Sequence, residues 1–522
     1  MVSHVRLAYG KTRHASATFF IMLLAGVIGI AIQPVAPALA NAGAQQLAQQ
    51  AASAQKIAWI AFDGGGARSG DNTAERHLNR TNVHLLTQLW KVALPAVVDS
   101  SIVEQPGVTT PSGVHDLLFV TTTTGSLLAL DAHSGALIWR ADHPAGSCKI
   151  NNGSQTCYTT SSPAIDPSGQ YVYTYGLDGY LHKHNIATGT EVTGGGWPEL
   201  ITLKPFDEKE SSAINIGQGY LYVTTGGYPG DNGDYQGHVV AINLATGAQT
   251  IFNTVCTNQA VHFVEKPGTP DCPQVQSAVW GRGGAVIDTV TGDLFIATGN
   301  GTFNAAAYDF GDSVMKLDAT ASGANGLPLD SYTPTNYQQL QNSDTDLGST
   351  APVLLPQQPT SETPYMALQI GKDGIARLLN RANLSGQGGP GHTGGELQQL
   401  DLSKYGEVLP QPAVWTDGHG VVWIFIANAN GLTALRLTTD ASGHSSLSVV
   451  YHNSDAGSSP FVAGNVLYVQ GPGTLLALNP KTGATLWSAQ TGSQHWQSPL
   501  IVNGMVFAVN DSGSMYAFSI PA

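Results

Sequence analysis

The sequence predicts an all-β fold, an eight-bladed β-propeller built from four-stranded antiparallel blades, and three observations carry that reading. A phrase of the form Gly-x-x-x-Ala-Leu-Asp followed by Thr-Gly or Ser-Gly recurs eight times, most cleanly at 125–139 (GSLLALDAHSGALIW) and 473–487 (GTLLALNPKTGATLW). Self-similarity at a spacing of tens of residues marks an array of equivalent units that bury their apolar faces against one another. Between neighbouring copies lies a second short run rich in Val, Tyr and Leu, such as LLFVT at 117–121 or LYVTT at 221–225. Alternating runs bounded by Gly and Asp-Gly read as β-hairpins. Composition agrees, because 61 Gly, 28 Pro and only 11% charged residues describe a turn-dense β protein. Seven blades is the alternative count.

In chain order, Arg6, Lys11 and Arg13 precede an apolar run at 19–32, and Ala38-Leu39-Ala40 supplies an A-x-A cleavage site. Residues 1–40 therefore read as a signal peptide, 41–54 as a flexible spacer and 55–522 as one propeller domain. The apolar run is short for a spanning helix, so no membrane span is expected after cleavage. Cleavage would remove three positive charges and no acids, taking the formal net charge from −14 to −17. A strongly acidic exported chain is not a nucleic-acid binder, and a periplasmic or secreted location follows. The segment 89–95 (LWKVALP) carries the Trp that elsewhere ends the repeat. It is expected to add the outer strand missing from the last copy and so close the ring.

The copies then begin at Gly125, Gly179, Gly237, Gly311, Gly374, Gly431, Gly473 and Gly513. In copies such as 131–135 and 243–247 the Asx starts a turn and the Gly takes its left-handed position. His182 and His184 flank Lys183 and share one strand face. Two ligands without a third read as surface residues, not as a metal site. Four cysteines in an exported chain are expected to pair. Sequence neighbours are the natural partners, Cys148 with Cys157 and Cys256 with Cys272, though other pairings stay open. Each such loop closure contributes about 3 kcal/mol in the chain-entropy picture.

Three segments break the repeat. The stretch 280–304 (WGRGGAVIDTVTGDLFIATGNGTFN) is followed by Asp346-Leu347-Gly348-Ser349-Thr350 and by Gly371-Lys372-Asp373-Gly374, which opens KDGIARLLNR. These phrases, on top of the repeat, resemble the pyrroloquinoline-quinone (PQQ) dehydrogenases, eight-bladed quinoproteins of the periplasm. The resemblance implies Trp280 as the floor under the quinone, Asn300 as a calcium ligand, Asp346 as the catalytic base beside the ion, and Lys372 on the quinone oxygens. The residue types suit those tasks. An indole offers a flat apolar face, amide and carboxylate oxygens suit a hard calcium ion, and an Asp can take an alcohol proton. The ion acts as a Lewis acid and the lysine stabilises an anionic reduced quinone.

The pattern also departs from that family. Its vicinal Cys-Cys pair corresponds here to Cys148 and Cys157, nine positions apart. Its calcium Glu falls where this chain reads GGYPGDNGDYQG, with Asp231 or Asp234 as the acidic substitutes. Glu104, in VEQP, matches a family cofactor contact. No C-x-x-C-H occurs, so no c-type haem is expected and electrons would pass to a separate acceptor. The resemblance thus implies an exported PQQ- and calcium-dependent oxidoreductase acting on a small-molecule alcohol or sugar. The alternative is a cofactor-free propeller that binds an envelope protein, as the scaffold of outer-membrane protein assembly does, or a glycan.

Overall fold

The computed structural model describes residues 56–144, 156–229, 231, 233–264 and 271–521; the expected signal peptide, the spacer and Cys148 lie outside the described residues. Eight four-stranded antiparallel sheets follow one another along the chain, so the count is eight and not seven. Blade 1 holds Val103–Thr110, Gly113–Thr121, Ser126–Asp131 and Leu137–Asp142. Blades 2 to 7 span 164–200, 215–253, 286–332, 353–401, 413–453 and 461–490, and blade 8 begins at 500.

Each repeat phrase opens at the turn after the second strand of a blade, forms the third strand and turns into the fourth, as 125–139 does in blade 1. In blade 1 Gly125 has φ of +81°, and a Cβ there would lie 2.5 Å from the His143 carbonyl oxygen, so only glycine fits the turn. The third strand, Ser126–Asp131, is buried along its whole length because neighbouring blades cover both faces. The outer strand Leu137–Asp142 alternates toward solvent instead. The apolar clusters accordingly lie between adjacent blades: Leu181 of blade 2, for example, packs with Val223 and Ile242 of blade 3.

Two segments ahead of the first blade lock the ring. The strand Thr87–Ala93 runs antiparallel to Ser514–Ser519 as the outer strand of blade 8, where 89–95 is expected to close it. Trp90 of that strand is buried, and its Nε1 donates to the Ala132 carbonyl of blade 1 at 2.9 Å. The second segment carries no repeat phrase. Trp59 exchanges backbone hydrogen bonds with Glu104 of blade 1 at 2.9 Å, and the Ile60 carbonyl accepts from Ile165 of blade 2 at 2.8 Å. The Gly66 carbonyl accepts from Ile287 of blade 4 at 2.8 Å and from Asn215 Nδ2 of blade 3 at 3.0 Å. Further on, Ser69 accepts from Val414 of blade 6, and Asp71–Asn72 pairs in parallel with Phe461–Ala463 of blade 7. Residues 59–72 thus run across the centre of the ring and join innermost strands that are far apart in sequence.

Of the expected disulfides, Cys256–Cys272 is present with Cα atoms 6.0 Å apart. Among the described residues no helix is long and apolar enough to cross a membrane.

Candidate active site at one mouth of the ring

Residues that immediately precede the innermost strands gather at one mouth of the ring. They line a cavity of about 510 Å³ together with Asp231, Asp344, Asp346 and Lys372. Trp280, Asp346 and Lys372 line it directly, and Asn300 lies against them.

Trp280 stands at the entry to blade 4 and faces Trp496, their ring centroids 5.7 Å apart and tilted by 46°. Lys372 Nζ lies 5.6 Å from the Trp280 ring centroid, a cation–π distance. Asn300 follows the second strand of blade 4, Leu294–Ala297, and is buried. Its backbone N–H donates to Asp346 Oδ1 at 2.7 Å and its Nδ2 donates to Asp344 Oδ1 at 2.9 Å. Its Oδ1 is buried and accepts no hydrogen bond from the described residues. A buried amide oxygen left unpaired is costly and calls for a partner. The preceding Gly299 has no room for a side chain, since a Cβ would meet Asp346 Oδ1 at 2.1 Å and Trp280 Nε1 at 3.0 Å.

Asp346 is held on both oxygens, by the Asn300 amide on Oδ1 and by an ion pair with Lys372 on Oδ2. Lys372 also reaches Asp344 Oδ1 at 3.1 Å. Burial alone would lower the Lys372 ammonium, but the charges and hydrogen bonds of Asp346 and Asp344 outweigh it and raise its pKa. Asp231 accepts from the Tyr235 hydroxyl at 2.6 Å. Burial raises its carboxyl, the Tyr235 bond counters, and the like charges of Asp346 and Asp344 raise it further. Three carboxylates therefore crowd one lysine, an arrangement that a further cation would relieve.

The other two expected residues lie elsewhere. Asp234 is outside the cavity lining; its carboxylate takes the Gln236 amide at 2.9 Å and sits 3.9 Å from Lys204 Nζ. Glu104 lies on the innermost strand of blade 1 beside the 59–72 segment, where its Oε1 accepts from Asn503 at 3.3 Å. It does not line the cavity, and burial pushes its carboxyl up to about 8.

Two lining residues have no role assigned from the sequence. Arg282, buried, donates to the Thr160 carbonyl and the Asp99 carbonyl at 2.7 Å each and to Asp99 Oδ1 at 2.6 Å, which links blades 1, 2 and 4. Lys209 lies between two phenols, its Nζ 4.8 Å from the Tyr158 centroid and 5.7 Å from that of Tyr228. Burial pushes its ammonium down to about 7, Arg282 acts in the same direction, and Asp99 and Glu210 oppose. Each comes from a different blade, and only the folded ring brings them together.

The histidines depart from the sequence reading. His182 and His184 are 4% and 1% exposed, and a third histidine, His143, joins them from the end of blade 1.

The family described as glucose/ethanol/alcohol dehydrogenase, β-propeller domain, matches residues 63–383, and that of outer membrane protein assembly factor BamB matches 414–521. A polyvinylalcohol dehydrogenase of Sphingopyxis sp. strain 113P3 is 26% identical over 227 residues, which cover 40% of this chain and 31% of that relative. Among solved structures, a europium-containing methanol dehydrogenase superposes with a TM-score of 0.62 at 15% identity, covering 88% of this chain and 98% of the other. The quinohemoprotein alcohol dehydrogenase of Comamonas testosteroni gives 0.59 at 16% identity, covering 90% and 82%. At those identities the structures share the fold.

Proposed function

The chain belongs to the PQQ family of glucose, ethanol and alcohol dehydrogenase β-propellers, and from that premise we propose that it is an exported dehydrogenase that oxidises an alcohol or sugar with PQQ and calcium. The observation that carries the reading is the buried, unpaired Asn300 Oδ1 set among Asp231, Asp344 and Asp346. An amide oxygen among carboxylates is a donor set for a hard divalent ion, and the cation would fill the role no described residue fills. The family's cofactor fits the rest of the cavity. Trp280 and Trp496 offer apolar ring faces to a planar group, while Lys372, Arg282 and Lys209 supply positive or proton-donating groups for its oxygens.

When bound, the quinone supplies a two-electron acceptor for the hydride of an alcohol carbon, polarised by the metal. The chain's own residues would then work as follows. Asp346, released from part of its contact with Lys372, takes the hydroxyl proton of the substrate on Oδ2. Lys372, kept charged by its carboxylate neighbours, offers Nζ to negative charge that develops beside it. The Asn300 N–H fixes the Asp346 carboxylate from the other side, so the base cannot turn away. The rings of Tyr158, Tyr228 and Trp496 form an apolar rim that limits water. Export rests on the 1–40 segment, and the missing C-x-x-C-H motif leaves electron transfer to a separate acceptor.

A cofactor-free scaffold is the second reading, favoured by the match of residues 414–521 to the outer-membrane assembly family. Equilibrium binding of PQQ to the mature protein, with and without calcium, separates the two when followed by absorbance and tryptophan quenching. We expect stoichiometric, calcium-dependent binding that Asn300→Ala weakens at least about tenfold, or about 1.4 kcal/mol. No binding at tens of micromolar PQQ would overturn the enzyme reading and leave the scaffold.

A further inference from the structure

Between blades 1 and 2, away from the cavity, three potential ligand groups converge. His143 follows the outer strand of blade 1, and its backbone is fixed at both ends: its N–H donates to the Gly125 carbonyl at 2.9 Å and its carbonyl accepts from Leu177 of blade 2 at 3.0 Å. His182 and His184 come from the third strand of blade 2, Tyr180–Asn185, and point to one side because strand side chains alternate. Glu191 comes from the segment that bridges back to His184. One ligand atom each from His143, His182 and Glu191 lies within 4.8 Å of the other two.

The groups around these three fix which atoms are free. His184 Nδ1 is 2.9 Å from the Gly189 carbonyl, an acceptor, so Nδ1 carries the proton and Nε2 presents its lone pair. His143 Nε2 lies 2.9 Å from that lone pair and therefore carries its own proton, which leaves His143 Nδ1 as a free lone pair. On His182, Nε2 faces Asp178 Oδ1 at 3.1 Å and Nδ1 faces Glu191 Oε1 at 2.7 Å. Metal-bound histidines characteristically give their second nitrogen to a carboxylate or another acceptor, and both of these imidazoles already do. The His143 and His182 rings stack with centroids 3.5 Å apart, so one ring must turn out of the stack for the in-plane lone pairs of both to meet one ion; Gly176 leaves room beside them, since a Cβ there would lie 2.6 Å from His182 Nε2. The Glu191 side chain is 31% exposed, which leaves a route for an ion and a place for water.

We propose that His143, His182 and Glu191 form a transition-metal site that takes a borderline divalent ion such as zinc and staples blade 1 to blade 2. Two imidazoles and one carboxylate, with water in the fourth position, are an established zinc donor set, and the nitrogen ligands select against calcium and magnesium. The ion would displace the proton now shared between His182 Nδ1 and Glu191. Asp178 and His184 would act as positioning residues, holding the two rings through their second nitrogens.

The test is isothermal titration of the purified mature protein, stripped with chelator, against zinc chloride, with cobalt absorption as a second readout. One equivalent of zinc is expected to bind with Kd at or below about 1 µM. Zinc should also raise the melting temperature, because it binds only the folded ring. Glu191→Gln and His182→Gln should each weaken that binding at least tenfold, whereas Asp346→Asn in the cavity should leave it unchanged. If His182→Gln fails to fold, Glu191→Gln and the cobalt d–d bands of the unaltered protein decide. The site is overturned by any of three results: no saturable zinc binding at 100 µM, binding that persists in Glu191→Gln, or loss of binding in Asp346→Asn.

Discussion

Burial pushes the Lys209 ammonium down to about 7, with the Arg282 charge acting the same way against Asp99 and Glu210. Near neutral pH the amine is therefore partly deprotonated. PQQ is a tricarboxylate, and an anion brought beside the amine raises its pKa. Protons must then be taken up on binding from about pH 7 upward, where the free amine is neutral, and uptake fades well below that pH, where it is already charged. Calorimetry at pH 8 in buffers of different ionisation enthalpy should show that uptake, and Lys209→Met should remove most of it. Equal buffer dependence in the two proteins would count against it. Lys209 also marks what the sequence could not disclose about the site. Trp280, Asn300, Asp346 and Lys372 stand in phrases that break the repeat, so they are legible one by one. Lys209 sits in EKES and Arg282 two residues after Trp280; what makes them unusual is burial against residues of other blades, which no spacing records. Glu104 misleads for the same reason. Its carboxyl turns to Asn503 beside the central segment instead of to the cavity.

At the scale of elements the repeat exposes nearly every blade, because its turn glycines and alternating apolar runs are local signals. The closing strand Thr87–Ala93 was legible through Trp90, which behaves as a repeat tryptophan should: its indole bonds the Ala132 carbonyl and packs 6.1 Å from Phe507. Gly135 of blade 1 lies directly beneath it, where a Cβ would come within 2.9 Å of Trp90 Cε3. The strand thus joins blade 8 to blade 1 by packing as well as by its backbone ladder. Trp90→Ala should therefore cost about 3 to 5 kcal/mol in guanidinium unfolding, the usual range for emptying a buried aromatic site. A loss below about 1 kcal/mol would mean that the ladder alone closes the ring. Less legible was Glu208–Glu210, a short charged run that nonetheless pairs with Tyr220–Gly227 and is buried. Its sequence has the pattern of an exposed turn, and only the mouth of the ring buries it. The paired histidines fail in the same way, since their third partner is supplied by the neighbouring blade.

On the scale of the whole molecule, the 59–72 segment was invisible in the sequence because it makes about one backbone bond per blade and repeats nothing. Its anchor is Arg68, which is 1% exposed. The guanidinium donates to the carbonyls of Phe62, Ala213, Ile214 and Gly283, so one side chain ties the segment to blade 3 and to the entry of blade 4. It is also the cation that partly offsets two buried acids, Asp63 and Glu210, whose carboxyls burial raises and Arg68 lowers. Removing it takes a donor from four carbonyls, and a buried acceptor left unsatisfied costs about 1 to 3 kcal/mol. The larger consequence concerns cooperativity. A ring of near-equivalent blades coupled only to their neighbours can open one interface at a time. A segment that bonds blades 1, 2, 3, 4, 6 and 7 makes each opening disturb several contacts at once. We therefore expect a single calorimetric transition with equal calorimetric and van't Hoff enthalpies for the unaltered protein. Arg68→Met should lower the melting temperature and make the van't Hoff enthalpy fall below the calorimetric one. If that variant melts at a lower temperature but still in one two-state step, the segment stabilises the ring without coupling its blades.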